Sequence, residues 1–106
     1  MSKYMSQKTI VDGITFDSKK EAYWYLQYRA MERNGDITNL ELQVPFPVQI
    51  NGVHICKYIA DFVFTDKKGN RHVVDVKSQM TAKLPVFRLK KKLVQALYNV
   101  EIEIVM

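Results

Sequence analysis

The 106-residue chain has the size and composition of one globular domain, with 47% hydrophobic and 25% charged residues. It has no apolar run that could span a membrane and no signal-peptide core, and its single cysteine, Cys56, excludes an internal disulfide. We therefore expect a cytoplasmic protein without a membrane partner, and the net charge of +5 favours a polyanion such as nucleic acid.

The chain starts with polar residues and a short hairpin. We expect residues 1–8 to be frayed, because they are polar and lie at the end of the chain. Residues 9–16 are predicted to pair around an Asp-Gly turn at 12–13. No linker, repeat or low-complexity run follows, so residues 1–106 are expected to form a single domain.

A helix is predicted over residues 18–34. Ser18 and Glu21 fit the capping box S-x-x-E, and Gly35 is placed to end the helix. The local pattern leaves two interpretations of Glu21 open, a cap on the surface or a carboxylate that reaches inward to a functional site, and one side chain could also do both at different times. The face expected to pack consists of Ala22, Tyr25, Leu26 and Ala30, widened by Trp24, Tyr28 and Met31.

The middle of the chain predicts antiparallel strands. Residues 40–44 alternate as a half-buried strand does, and Pro45 and Pro47 indicate an edge position or a bulge. An Asn-Gly pair at 51–52 is typical of a second hairpin turn. The strand after that turn continues through 58–64.

A polar loop then leads into a third strand, over 71–77. If Gly69 takes the left-handed position of a three-residue loop, residue 66 pairs with 70, and Asp61 lies directly opposite Asp75. Cross-strand Cβ atoms are roughly 5 Å apart, and like charges there are destabilising. A divalent cation between the two aspartates would remove that repulsion.

The two faces of this hairpin are both largely apolar, which predicts a central sheet covered on both sides. Alternation assigns Ile59, Asp61, Val63, Val73, Asp75 and Lys77 to one face, and Tyr58, Ala60, Phe62, Phe64, Val74 and Val76 to the other. Asp61 and Asp75 are then charges on otherwise buried strands, and such charges are normally paired or bound to metal.

A second helix is predicted from Pro85 to about residue 98, followed by a strand at 100–105. The connection has the form of a βαβ crossover, so this last strand should run parallel to 71–77. The helix stripe expected to pack is Val86, Leu89, Leu93 and Leu97, widened by Phe87 and Val94. Lys90 falls within the stripe, and either its ammonium reaches water or it is directed at a site or a phosphate.

The pattern of acids with a lysine predicts metal-dependent phosphodiester chemistry. Asp61 and Asp75 supply the hard oxygen ligands that suit Mg²⁺ or Mn²⁺, and the backbone carbonyl of Val76 can complete the coordination. Lys77 shares the face of Asp75 and can orient the attacking water or stabilise charge on the phosphate. Glu21 can add a ligand or hold a metal-bound water.

Basic residues near both helices are candidates for contact with DNA phosphates. They are Lys83, Arg88, Lys90, Lys91 and Lys92 near the second helix, and Lys19 and Lys20 near the first. Such contacts position DNA without reading its sequence, which favours structure-specific cleavage. The alternative is a solvated helix face. Cutting both strands needs two active sites, so we expect a homodimer.

The chain resembles the PD-(D/E)XK nuclease superfamily and, more closely, the small phage-encoded DUF1064 family. The segments that carry the resemblance are VDGITFDSKKEA (11–22), LELQ (40–43), YIADF (58–62), VVDVK (73–77) and FRLKKKL (87–93). The superfamily's name-giving proline is absent before Asp61, where Ala60 stands, but that proline is commonly missing.

The resemblance implies an α/β, restriction-endonuclease-like αβββαβ core with an N-terminal β-hairpin. It also implies a phage or prophage endodeoxyribonuclease in the bacterial cytoplasm, related to enzymes considered Holliday-junction resolvases. Asp61, Asp75 and Lys77 would take the metal-ligand and lysine positions, with Glu21 as the helix acid. Two alternatives stay open: an inactive nuclease-fold DNA-binding or regulatory protein, and a structural or protein-interaction domain.

Overall fold

The computed structural model describes residues 8–106, which form a mixed α+β structure. The expectation of a frayed start concerns mainly residues 1–7, which lie outside the described part. The elements are β1 (Thr9–Val11), β2 (Ile14–Phe16), α1 (Lys19–Arg33), β3 (Ile37–Ile50), β4 (Val53–Asp66), β5 (Arg71–Val76), α2 (Gln79–Ala82), α3 (Pro85–Tyr98) and β6 (Ile102–Val105). After the β1–β2 hairpin, the predicted αβββαβ order is confirmed, with α2 added before α3.

A four-stranded mixed sheet in the order β3-β4-β5-β6 forms the centre of the fold. β3, β4 and β5 are antiparallel neighbours, and β6 runs parallel to β5, as the crossover predicts. β3 is an edge strand, which confirms the expectation from Pro45 and Pro47. It is longer than predicted, because the strand continues through both prolines. Proline has no N–H to donate, and at a sheet edge this N–H can face solvent, so no hydrogen bond of the sheet is lost.

The predicted turns have the backbone geometry that their residues favour. Both central residues of the turns at 12–13 and 51–52 have positive φ, as type I′ hairpin turns require. Gly69 has φ 86°, and the Asp66 N–H donates to the Asn70 carbonyl oxygen at 2.9 Å. Local turn chemistry therefore sets the β4–β5 register.

Two apolar clusters cover the two faces of the sheet. The α1 cluster consists of Phe16, Ala22, Tyr25, Tyr28, Ile37, Phe62, Phe64 and Val74. The α3 cluster consists of Phe46, Val48, Tyr58, Ala60, Val63, Val73, Val94 and Ile102. The expectation of a sheet covered on both sides is confirmed.

The predicted inward face of each helix is partly wrong. On α1, Leu26 and Ala30 are exposed, whereas Glu21 is buried beside Ala22. The β1–β2 hairpin and the sheet contact the side of α1 that carries the aromatic residues, because rings such as Tyr25 against Phe16 fill the space between them.

On α3, three of the four predicted stripe residues, Val86, Leu89 and Leu97, are exposed, with Leu89 at 60%. The sheet packs against the fourth stripe residue, Leu93, and against Phe87 and Val94, so the prediction is confirmed for these three residues. The other three stripe residues, Val86, Leu89 and Leu97, form an uncovered apolar surface in the described chain.

β3 and β4 continue beyond β5 as a two-stranded arm, residues 44–60. In this arm Tyr58 and Ala60 belong to the α3 cluster together with Val63, so the face assigned to them by simple alternation is wrong. The change occurs next to Gln43, whose φ of 53° breaks the regular pleat of β3. A two-stranded ribbon also twists more strongly than a wider sheet.

Candidate functional site

Asp61 and Asp75 meet where β4 and β5 separate. The β4–β5 ladder pairs Thr65 with Arg71 through Phe62 with Val74, which is the predicted register. Asp61 and Asp75 are one step beyond the last of these pairs. The two aspartates are therefore not a ladder pair themselves, but the register brings their carboxyl groups within hydrogen-bonding distance of each other.

Where the two strands separate, the Asp61 side chain takes the place of a backbone carbonyl as the hydrogen-bond acceptor for Val76. Its Oδ2 accepts a hydrogen bond of 2.8 Å from the Val76 N–H. In an extended strand the N–H and C=O of one residue point to the same edge. The Val76 carbonyl, predicted as a metal ligand, therefore points toward the edge at which Asp61 lies.

Asp75 is almost completely enclosed, with 2% of its surface exposed. Tyr58 donates its hydroxyl hydrogen to Oδ2 of Asp75 at 2.5 Å, and Lys77 Nζ donates to Oδ1 at 3.2 Å. Burial, followed by the charge of Asp75, raises the pKa of Tyr58 well above its ordinary value, so this hydroxyl stays protonated and remains a donor. Tyr58 is a site residue that the sequence interpretation assigned only to a strand.

Lys77 is held between a carboxylate and an aromatic ring. Its Nζ contacts Asp75 and lies 4.7 Å from the centroid of the Phe87 ring. A cation over a ring face is attracted by the ring quadrupole. Helix α3 therefore takes part in the site through Phe87, whose ring limits where the ammonium can lie.

Glu21 combines a helix cap position with a buried carboxylate. The Ser18 hydroxyl accepts from the Glu21 N–H at 3.1 Å, so the first half of the predicted capping box is present. The Glu21 carboxylate instead accepts from Gln43 Nε2 at 3.3 Å, and the residue is 7% exposed. Of the two interpretations of its side chain, the surface cap is wrong.

Gln43 joins two of the acids. Its Nε2 is 3.3 Å from Glu21 Oε2 and 3.3 Å from Asp61 Oδ1. Alternation had placed Gln43 as an ordinary polar strand residue, and no signal in the sequence shows its positive φ. Asp61 in turn hydrogen-bonds Asp75, so the connected set has six members: Glu21, Gln43, Tyr58, Asp61, Asp75 and Lys77.

The carboxylates make the site electrostatically unfavourable in the absence of a cation. Burial raises the pKa of Asp61 above its usual range, and the hydrogen bond and the charge repulsion with Asp75 raise it further. The hydrogen bond from the Val76 N–H lowers this pKa and so offsets part of the increase. Burial also raises the pKa of Glu21, as do Asp17 and Asp75, while Lys77 lowers it. A bound cation would relieve both effects.

The residues present fit a magnesium-type ion. No three His, Cys, Asp or Glu side chains within 8–106 are arranged around one point. However, Mg²⁺ commonly uses only one or two carboxylates and keeps several waters. Asp61, Asp75 and the Val76 carbonyl match that donor set, and the Glu21 carboxylate accepts a hydrogen bond from Gln43.

An open basic cleft of about 480 Å³ adjoins Lys77. Its lining residues are Ser18, Lys19, Lys20, Val76, Lys77, Ser78 and Thr81. Two of the predicted DNA-contacting residues, Lys19 and Lys20, therefore lie beside the site. The starts of α1 and α2 contribute to the same lining, and backbone N–H groups at helix starts favour anions.

The other predicted DNA contacts lie on a different part of the described chain. Arg88, Lys91 and Lys92 line a separate hollow on α3 with Gln95. Lys83 is exposed, and Lys90 is half-buried within α3. The structure thus brings together only part of the predicted basic set.

The family comparison identifies the group of proteins to which the chain belongs. The model of the family described as "Protein of unknown function (DUF1064)" matches residues 1–105, and the chain belongs to this family. No curated protein matches the chain.

Proposed function

We propose that the protein is a Mg²⁺- or Mn²⁺-dependent DNA endonuclease of phage or prophage type, acting in the bacterial cytoplasm. The observation that carries the proposal is the contact between the carboxyl groups of Asp61 and Asp75, with Lys77 at the border of a basic cleft. This is the constellation that the resemblance to PD-(D/E)XK nucleases implies. The mixed sheet with a helix on each face supports it at the level of the fold.

The proposed reaction is hydrolysis of a phosphodiester. The water oxygen adds to phosphorus, one bridging P–O bond breaks, and the products are a phosphate monoester and a hydroxyl. A divalent ion at the two aspartates would lower the pKa of a bound water and offset charge on the phosphate. Lys77, anchored by Asp75 and Phe87, directs its remaining N–H groups toward the phosphate or the water.

The cleft suits the sugar-phosphate backbone more than base edges. Lys19 and Lys20 offer charge, and Ser18, Ser78 and Thr81 offer hydroxyls, which are groups that position a phosphate without sequence readout. We therefore propose a structure-specific substrate such as a four-way junction. A homodimer would provide two sites, and the exposed stripe of α3 is a surface that a second copy could cover.

The direct test is a cleavage assay on supercoiled, linear and four-way-junction DNA with Mg²⁺, Mn²⁺ or EDTA. The proposal predicts metal-dependent cutting that is lost in Lys77→Ala and in Asp75→Asn. Lys68→Ala removes an equal charge from the exposed β4–β5 loop and should cut normally. Unchanged activity in Lys77→Ala would contradict the proposed site.

One observation favours an inactive DNA-binding protein with the same fold. The oxygens of Asp61 and Asp75 already accept hydrogen bonds from Gln43, Val76, Tyr58 and Lys77. Binding of junction DNA that weakens with salt, with no cutting under any metal, would support this alternative.

A further inference from the structure

Gln43 has a backbone conformation that is rare for its residue type. Its φ is 53°, inside a strand whose neighbouring residues pair normally: Leu42 with Phe62, and Val44 with Ala60. Left-handed conformations are uncommon outside glycine, and asparagine adopts them more readily than glutamine. Such outliers persist only where surrounding contacts hold them in place, and they cluster at functional sites.

The contacts of Gln43 define the orientation of its amide. Both neighbours are carboxylate oxygens, which accept hydrogen bonds, so the NH₂ end must face them. Its two hydrogens allow one bond to Glu21 and one to Asp61. The amide thus places partial positive charge between two acids that would otherwise repel each other.

We infer that Gln43 is a positioning residue that holds the metal-free site closed and competes with the cation for Glu21 and Asp61. The inference rests on the proposed function, because it concerns the same carboxylates. An NH₂ group pointing at these oxygens occupies lone pairs that an ion would use, and it repels the ion. The Gln43 amide must therefore withdraw before Glu21 and Asp61 can bind one cation together.

The arrangement also explains why three acidic side chains do not converge in the metal-free protein. Glu21 is buried, and its bond to Gln43 links it to β3 rather than leaving it free to approach Asp75. Losing the amide should raise the free energy of the metal-free state. In the metal-bound state the amide has already withdrawn from the carboxylates, so its loss should leave the free energy of that state unchanged. The affinity of the protein for the ion should therefore increase.

The test is Mn²⁺ binding to the purified protein. Binding is measured from the electron paramagnetic resonance signal of the free ion and, separately, by calorimetry. Gln43→Ala removes the amide. Gln43→Asn keeps an amide that is one methylene shorter and suits the positive φ, so it guards against a folding defect. Gln49→Ala, on the exposed part of the same strand, is the matched control.

We expect both Gln43 variants to bind Mn²⁺ roughly tenfold more tightly than wild type, a change of about 1.4 kcal/mol. Gln49→Ala should bind as wild type does. Equal or weaker binding by both Gln43 variants, with normal binding by wild type, would overturn this inference alone. If no version of the protein binds Mn²⁺, the proposed metal site is wrong and this inference fails with it.

Discussion

The Tyr58 hydroxyl donates a 2.5 Å hydrogen bond to Oδ2 of Asp75, linking the arm to the most deeply buried acid of the site. Tyr58 also packs its ring against Phe46 and Phe87. The arm, the sheet and α3 therefore meet at one side chain. The hydroxyl compensates a buried charge, and the ring fills the α3 cluster.

Removing this hydroxyl should destabilise the fold. Tyr58→Phe keeps the ring and leaves one oxygen of Asp75 without its donor, so we expect the free energy of unfolding to fall by about 1–3 kcal/mol. Urea denaturation measures this. Tyr23→Phe, at an exposed position on α1, is the control and should change little. Equal stability of Tyr58→Phe and wild type would show that the hydrogen bond contributes nothing.

Neutralising Asp61 should stabilise the protein when no metal is present. A carboxyl whose pKa is raised by folding costs stability as the pH rises above its unfolded pKa, about 3.9, and the cost grows until the folded pKa is reached. Asp61→Asn should therefore melt a few degrees above wild type in EDTA at pH 8, with a smaller gap at pH 5. Mg²⁺ should raise the melting temperature of wild type but not of the variant. A lower melting temperature for the variant at pH 8 would contradict this account.

His72 should make stability depend on pH away from the site. It lies between Asp66 and Glu103, and its ring stacks on Phe64. Its bond to Asp66 raises the pKa of His72, so its ion pairs stabilise the fold fully below about pH 6.5 and are lost as the pH rises through the raised value.

The hydrogen bond with His72 is the largest of the interactions that lower the pKa of Asp66 to about 2. The contribution of Asp66 to the stability of the fold is therefore present above about pH 4 and disappears as the pH falls toward 2. His72→Gln should therefore lose most stability between pH 4 and 6.5 and least near pH 9. Urea unfolding at pH 5.5 and 9 tests this, with His54→Gln on the exposed part of β4 as the control. An equal loss at both pH values would refute the role assigned to the charged imidazole.

DNA affinity should depend on the two lysines of the cleft. Lys19→Ala combined with Lys20→Ala removes two phosphate contacts, which should reduce the slope of log K against log salt by about 2. Fluorescence anisotropy with junction DNA in EDTA measures binding without cutting. The double variant Lys67→Ala, Lys68→Ala removes the same charge from the β4–β5 loop. Equal slopes for the two double variants would show that the lysines of the cleft do not contact the DNA.

Much of the site could be predicted because it depends on local chemistry. The loop with Gly69 sets the β4–β5 register, and that register brings Asp61 next to Asp75. Helix faces were harder to predict, since an apolar stripe such as Leu89 on α3 does not reveal whether the same chain covers it. Turn pairs act within a few residues, whereas helix faces depend on distant packing.

Gln43 and Tyr58 were missed for different physical reasons. The left-handed backbone of Gln43 follows from tertiary contacts and leaves no mark on the alternating pattern. Tyr58 did leave a signal, because a tyrosine on a buried strand needs a partner for its hydroxyl. The short helix α2 was also missed, since its cap pairs Ser78 with Thr81 rather than with the usual Glu or Gln.

The most direct test of the central claim is the position of a bound ion in crystals grown with Mn²⁺. An anomalous difference map should show a peak between the carboxylates of Asp61 and Asp75, within reach of the Val76 carbonyl, at about 2.0–2.4 Å from each ligating oxygen. The peak should be absent in Asp75→Asn. Crystals of wild type with no peak there, or with Mn²⁺ only at the surface acids near His72, would contradict the claim that the two aspartates share a catalytic metal.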